Sequence, residues 1–480
     1  MELGFSKNLN DISGEFADVK LGDYRLERRL ELITNRMLEH SARSFPDLFP
    51  TAAELEGAYR FFLNERVHWK DLLAGHKTQT ANRCSMFENV VVAHDTTTFS
   101  FLRENAQREG MGSLSSGSVH TQGFLGHFSL CVGLSNSGPE RVPLGVIEVN
   151  QFTRTGEKKA LRNRKIPLNA ENESYRWFSQ IQQVEQSCQL PGKLIHVTDR
   201  EAESYELFND CIKNKYRFVF RLAESRTLAD GGLNLFERLQ GLAPLFETQV
   251  QLSHRKCERS SKNQKRHPPR EKRLVTMGVV AQQLIVKKSR SLGNFVPPTL
   301  TLNFVRIWET DPPAGEVPVE WILATTEPTE TVEQINRVVD AYRARWVIEE
   351  YFKALKTGCS VEERQHEKLT TILNILAVCI PVACHLLTLR TMATQSPSIS
   401  SKPFISSIQR ELLKAKFPER TEQLATVQGV LTTIAKLGGY LQYSGPPGWL
   451  VLSRGYRKLL TMELGVQLYT SRLSAICDER

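Results

Sequence analysis

The stretch ENVVVAHDTTTF, residues 88–99, decides the fold. Its apolar run from Val90 to Ala93 reads as a buried strand that delivers Asp95 at its far end. KLIHVTDREAES, residues 193–204, repeats the arrangement, with Leu194 to Val197 delivering Asp199. Strand ends in open sheets are where ligand sites form, and an aspartate there is expensive to desolvate unless it meets a metal or a cation. An aspartate that merely caps the following segment would look the same.

A third stretch, VEQINRVVDAYRARWVIEEYFKALKTG (332–358), lacks proline and stops at Gly358, as one helix would. At about 100° per residue, Tyr342, Arg345, Glu349 and Lys356 fall within roughly 60° of one another on it. A carboxylate flanked by two cations and a phenol suits a phosphodiester with a divalent metal: the acid holds the metal, the others the phosphate oxygens. Glu350 sits about 100° away from this stripe and is rejected as the acid. Mixed charges on one helix also describe a solvated face.

Together the residues form a pattern of strand Asp, strand Asp and helix Glu inside YxxRxxxExxxxxxK. In this the chain resembles the DDE transposases of the bacterial insertion-sequence 4 family, in the branch of the Tn-five-like cut-and-paste enzymes. DREAES is similar to the family's second-aspartate motif, and Tyr342, Arg345, Glu349 and Lys356 fill its YREK signature. LGDYRLERRL, EGAYRFF, WILATTEP, IAKLGGYL and PPGW extend the likeness.

The resemblance implies an α/β (α+β) protein. Its catalytic domain would be an RNase H-like mixed sheet over 71–393, with a β-rich insertion at about 225–330. A helical N-terminal domain (1–70) would recognise transposon ends, and a helical C-terminal domain (404–480) would pair two subunits. It assigns Asp95, Asp199 and Glu349 to catalysis, holding two Mg²⁺ or Mn²⁺ ions roughly 3.5–4 Å apart. Tyr342, Arg345 and Lys356 would orient end phosphates, with Lys353 and Arg221 as further phosphate ligands and Trp321 stacking on an extruded base. Without the analogy, Trp321 between apolar neighbours reads as core.

Composition agrees but does not select this function. The chain has 480 residues, 40% hydrophobic, net charge +9 and pI near 9.0, a balance that favours a polyanionic partner. Nine scattered cysteines with no CxxC pair point to reduced thiols rather than a zinc or disulfide framework. MELGFSKNLNDISGEF carries no apolar leader pattern, so a cytoplasmic, nucleoid-associated location is expected. ILNILAVCIPVACHLLTL (372–389) is apolar enough to suggest a membrane span. Asn374, Pro381, His385 and Thr388 interrupt it, so a kinked core helix is expected and no membrane partner.

Between Asp23 and Met37, Leu26, Leu30, Ile33 and Met37 form an apolar face, with Arg25, Arg28, Arg29 and Arg36 opposite. Those arginines suit phosphates, although a solvated helix looks alike; the resemblance favours the first three as DNA contacts. Gly/Ser-rich GMGSLSSGS is not a P-loop, since no Gly-Lys-Ser/Thr follows. HRKCERSSKNQKRHPPREKR (254–273) has nine Lys/Arg against two Glu and suits a phosphate-binding loop or a solvated one. TQSPSISSKP (394–403) reads as a linker and domain boundary.

The expected partner is double-stranded DNA, as end repeats and target, gripped by a homodimer in a synaptic complex. The expected reaction is metal-dependent end cleavage and strand transfer, in the resembling family through a hairpin intermediate. A nuclease that cuts without joining, and a non-catalytic transposase-derived DNA-binding protein, are the alternatives.

Overall fold

A computed structural model describes residues 12–16, 19–39, 45–49, 51–102, 108–114, 121–135, 140–154, 164–252, 269–363, 366–402, 404–441 and 447–478. Two compact units emerge: Met1–Lys159, Gln183–Lys193 and Trp346–Arg480 in the first, Ala160–Gln182 and Leu194–Arg345 in the second.

In chain order, α1 (Tyr24–Glu39), α2 (Phe45–Leu48), α3 (Ala52–Leu63), α4 (Trp69–Leu72) and α5 (Ala74–Ser85) lead into the strands. These are β1 (Val90–Leu102), β2 (Gly112–Ser113), β3 (Thr121–Leu134) and β4 (Arg141–Phe152). Next come α6 (Tyr175–Cys188), β5 (Leu194–Thr198), α7 (Tyr205–Lys213), β6 (Arg217–Arg221), α8 (Leu235–Gln240) and β7 (Phe246–Leu252). The strands end with β8 (Arg273–Lys287), β9 (Thr299–Glu309) and β10 (Glu320–Thr325). The remaining helices are α9 (Val332–Ala344), α10 (Trp346–Lys353), α11 (Leu369–Gln395), α12 (Ser407–Lys416), α13 (Val427–Leu437) and α14 (Trp449–Asp478).

In the first unit, β3 pairs antiparallel with β1 along one edge and with β2 and β4 along the other. The expected short strand is in fact 13 residues long, so Asp95 lies inside β1 rather than at its end. Beyond Asp95 the residues Thr97 to Leu102 alternate buried and exposed, and their β-branched and aromatic side chains continue the ladder to Leu102↔Thr121. Against this unit packs α11, 27 residues long; its most apolar window is wholly buried and Pro381 lies inside it. The buried Asn374 amide donates to the Phe62 and Val67 carbonyls at 3.1 and 3.0 Å, which ties the end of the N-terminal helices to the core.

TQSPSISSKP is not a free linker. Ser401 is fully buried and its hydroxyl donates to the Leu424 carbonyl, while Val427 N–H donates to Ile399 at 3.0 Å. Serine hydroxyls satisfy main-chain groups here instead of water, so the segment is fastened to the start of α13.

In the second unit, β5 and β6 are parallel and β6–β10–β9–β8–β7 continue antiparallel, a mixed sheet. Trp177, Tyr205, Phe208, Phe218, Phe220 and Phe304 lead its core, all at most 2% exposed.

Candidate active site

In the first unit, Asp95 is half-buried on β1, and its Oδ1 accepts the Thr96 N–H at 2.8 Å. Asp95 stands opposite Phe128 of β3, so both side chains leave the same face of the sheet. Phe128 meets Phe352 (5.4 Å between centroids, 74°) and Tyr351 (6.0 Å, 58°) of α10. Glu349, half-buried, is two residues before Tyr351 on that helix. The ring cluster therefore docks the helix carrying Glu349 on the sheet face, and at the strand level, that carries Asp95.

The expected single helix is irregular at two places. Arg345 forms a turn between α9 and α10, its N–H donating to the Tyr342 carbonyl at 3.1 Å, and Ala354–Gly358 closes the run as a π-helical turn. The wider π-helix departs from 100° per residue at Lys356, a geometry that often marks functional sites. Lys356 belongs to the π turn. Its ammonium donates to the Thr98 carbonyl on β1, lies over the Phe99 ring at 5.2 Å from the centroid and faces Glu362 at 3.5 Å. Glu362 also accepts the Ser100 N–H at 2.8 Å. Lys356 thus fastens the segment after Glu349 to the strand of Asp95.

Glu350 is engaged by other side chains of this unit. It pairs with Lys353 (2.5 Å) and Arg390 (3.5 Å) and accepts from the Trp449 indole at 3.3 Å. Burial alone would raise its pKa; Lys353, Arg390 and Trp449 outweigh that and hold the carboxyl below its ordinary value. Lys353 is exposed and bound in this pair.

In the second unit, Asp199 directly follows β5 and N-caps the turn Arg200–Ala202, accepting the Glu201 N–H at 2.9 Å. Since Thr198 is in register with Phe220, the ends of parallel β5 and β6 bring Asp199 and Arg221 to the same edge. Arg221 is half-buried, donates to the Glu320 carbonyl at 3.0 Å and hydrogen-bonds with Tyr342. Burial pulls the Arg221 guanidinium below the usual arginine range; Tyr342 counters this, and the charges of Arg200 and Arg345 add to it.

Tyr342 does not face solvent as a phosphate ligand would. It is 1% exposed, with its ring edge-to-face on half-buried Trp321 at 5.2 Å and 65°. The aromatic pair packs inward because both rings carry more apolar area than polar, and the phenol is left to orient Arg221. Arg345 is 6% exposed. The charges of Arg200 and Arg345 thus both act on Arg221 beside a strand-end aspartate, an arrangement that an anion stabilises.

On α1, Arg25 and Arg28 are exposed. Arg29 is half-buried over Gly57 of α3, where an added Cβ would lie 2.6 Å from its guanidinium carbon. Arg36 pairs with Glu54 at 3.0 Å. Helix-on-helix packing, which the one-helix pattern does not contain, therefore turns Arg29 and Arg36 inward and leaves Arg25 and Arg28 outside. Most of the basic stretch 254–273 lies outside the described residues.

Arg200 and Glu362 escaped the sequence reading. Arg200 stands inside DREAES, so its signal was present; Glu362 meets Ser100 across 262 positions, and nothing local announces that. The assigned metal ligands are carboxylates only, half-buried and reachable, a hard oxygen set that fits Mg²⁺ or Mn²⁺ better than a soft ion.

Comparison with known families gives two matches. Residues 12–67 match the model described as Transposase DNA-binding, and residues 181–381 match that described as Transposase DDE domain. Asp199, Tyr342, Arg345, Glu349 and Lys356 fall within the second match, and Asp95 precedes it.

Proposed function

We infer that this chain, which carries a transposase DNA-binding domain and a transposase DDE domain, is a DNA transposase that cuts the ends of its element and joins them to target DNA. What supports this reading is the chemistry of each unit taken by itself, beside the two transposase family matches. In the first unit the helix that carries Glu349 docks on the sheet face of Asp95, and in the second Asp199 stands at the same strand edge as Arg221.

In this reading Asp95, Asp199 and Glu349 hold divalent ions, which DDE domains generally use. When bound, such ions supply activation of the attacking oxygen and neutralise charge on the leaving oxygen. Arg221, Arg200 and Arg345 hold the phosphate diester, their charges offsetting its anionic oxygens. Tyr342 keeps Arg221 oriented and Lys356 keeps the α10 segment on β1. Arg25 and Arg28 of the N-terminal helices contact duplex phosphates.

Water would nick the end first, and the freed 3′ hydroxyl would then attack the opposite strand to leave a hairpin that is reopened before strand transfer. Two copies of the chain acting together on paired ends complete the proposed cut-and-paste cycle, with the C-terminal helices as the pairing surface. Trp321 would serve the hairpin step by stacking on a displaced base after moving off Tyr342.

The test is end-containing DNA with Mg²⁺. Asp95→Asn and Asp199→Asn should bind the DNA and give no cut product, while the native chain cuts and, from a pre-cleaved 3′ hydroxyl end, joins. A chain that cuts but never joins would be a nuclease, and one that only shifts the DNA would be a binding protein.

A further inference from the structure

Three cysteines far apart in sequence converge inside the first unit. Cys84 is on α5, Cys131 on β3 and Cys188 at the end of α6, and their sulfurs all lie within 4.8 Å of one another. They are 0%, 0% and 6% exposed. Among the described residues, this is the one group of three or more His, Cys, Asp or Glu side chains whose ligand atoms approach so closely. Hydrogen bonds to Cys188 and Cys84, followed by burial, push the Cys131 thiol well up.

The geometry points to a buried three-sulfur site for a thiophilic centre of valence three, with trivalent arsenic as the chemical class of ligand. Charge decides among thiophilic candidates. A tetrahedral zinc site with Zn–S near 2.3 Å has sulfurs about 3.8 Å apart, and thus lies within reach of a small contraction. Zinc, however, asks for a fourth ligand, and with three thiolates it leaves a net negative charge in an apolar interior. Arg83, the adjacent cation, is already engaged by Glu15 at 2.6 Å.

Arsenous acid avoids that charge. As(OH)₃ and three Cys–SH give As(S–Cys)₃ and three H₂O: three S–H and three As–O bonds break while three As–S and three O–H bonds form. No electron is transferred, and each thiol proton leaves in a water molecule. The product is uncharged, and it would fasten α5, β3 and α6 to one another. Since Cys131 is in register with Val92, three positions before Asp95, the clamp would sit on the strand pair that carries a proposed catalytic carboxylate.

The full-length chain, kept reduced, is incubated with sodium arsenite and examined by native mass spectrometry and arsenic X-ray absorption. One arsenic per chain with three sulfurs and no oxygen in its shell is expected. Cys131→Ser and Cys188→Ala should lose that species, and Cys379→Ser should retain it. Either no capture, a shell of two sulfurs and one oxygen, or unchanged capture in the Cys188→Ala variant overturns the site. Preferential loading of Zn²⁺ from an equimolar mixture with arsenite overturns the charge argument. The native-chain spectrum needs no variant to fold, so it decides alone if one does not.

Discussion

The ammonium of Lys356 donates to the main-chain carbonyl of Thr98, three residues beyond Asp95 on the same strand. A residue expected to grip DNA is thereby a brace between the helical segment of Glu349 and the strand of Asp95. Lys356→Met keeps an unbranched side chain and removes the charge, and with it both the bond to Thr98 and the cation–π contact with Phe99. It should lower stability by roughly 1–3 kcal/mol, the range for a charge-assisted hydrogen bond, and reduce end cleavage more than DNA binding. Urea unfolding and gel-shift titrations at several salt concentrations test this. An unchanged midpoint with a shallower salt dependence would return Lys356 to a phosphate contact.

Adjacent acids on α10 should separate cleanly. Glu349→Gln should abolish cleavage with native stability, whereas Glu350→Gln should cut DNA but lose at most about 1 kcal/mol, as expected for a partly exposed ion pair. Because the folded-state pKa of Glu350 is depressed, its contribution is present above the ordinary carboxylate value and is lost as pH falls toward the depressed one. The stability gap between native chain and Glu350→Gln should therefore be widest near neutral pH and shrink as pH falls below the ordinary carboxylate range. Denaturant midpoints across that range measure it, and a gap that widens on acidification contradicts the assignment.

Tyr342→Phe should leave the edge-to-face packing on Trp321 intact and cost about 1 kcal/mol for the lost hydrogen bond to Arg221. If the phenol acts by orienting Arg221, cleavage should fall further in Tyr342→Phe than in Trp321→Phe on nicked, hairpin-independent substrate. Comparable rates in both variants would mean that Tyr342 has no such role.

Gly455 of α14 faces α13 so closely that an added Cβ would lie 1.7 Å from the Ile434 carbonyl oxygen, and one on Gly438 would lie 2.0 Å from the Val451 carbonyl oxygen. Gly455→Ala should destabilise the chain by about 1–3 kcal/mol through forced separation of the helices. Gly465→Ala, further along α14 with nothing within 4 Å, should instead be neutral or stabilise by up to about 1 kcal/mol. Thermal melts of the two variants compare a crossing glycine with a free one.

From the sequence alone came the buried strand runs before Asp95 and Asp199, the core character of the helix through Pro381 and the arginine-rich α1. Each rests on a window shorter than about twenty residues, where periodicity, propensity and capping act between chain neighbours. Tertiary structure alone decided that β1 runs on past Asp95, because pairing with β3 extends it, and that the helix of Glu349 closes in a π turn. It also decided that Tyr342 is buried against Trp321, that Arg29 folds over Gly57, that Lys356 meets Thr98 across 258 positions and that three distant cysteines converge. Those contacts depend on how separate elements pack, and packing depends on shape and charge arriving from elsewhere in the chain, which no local pattern of residues carries.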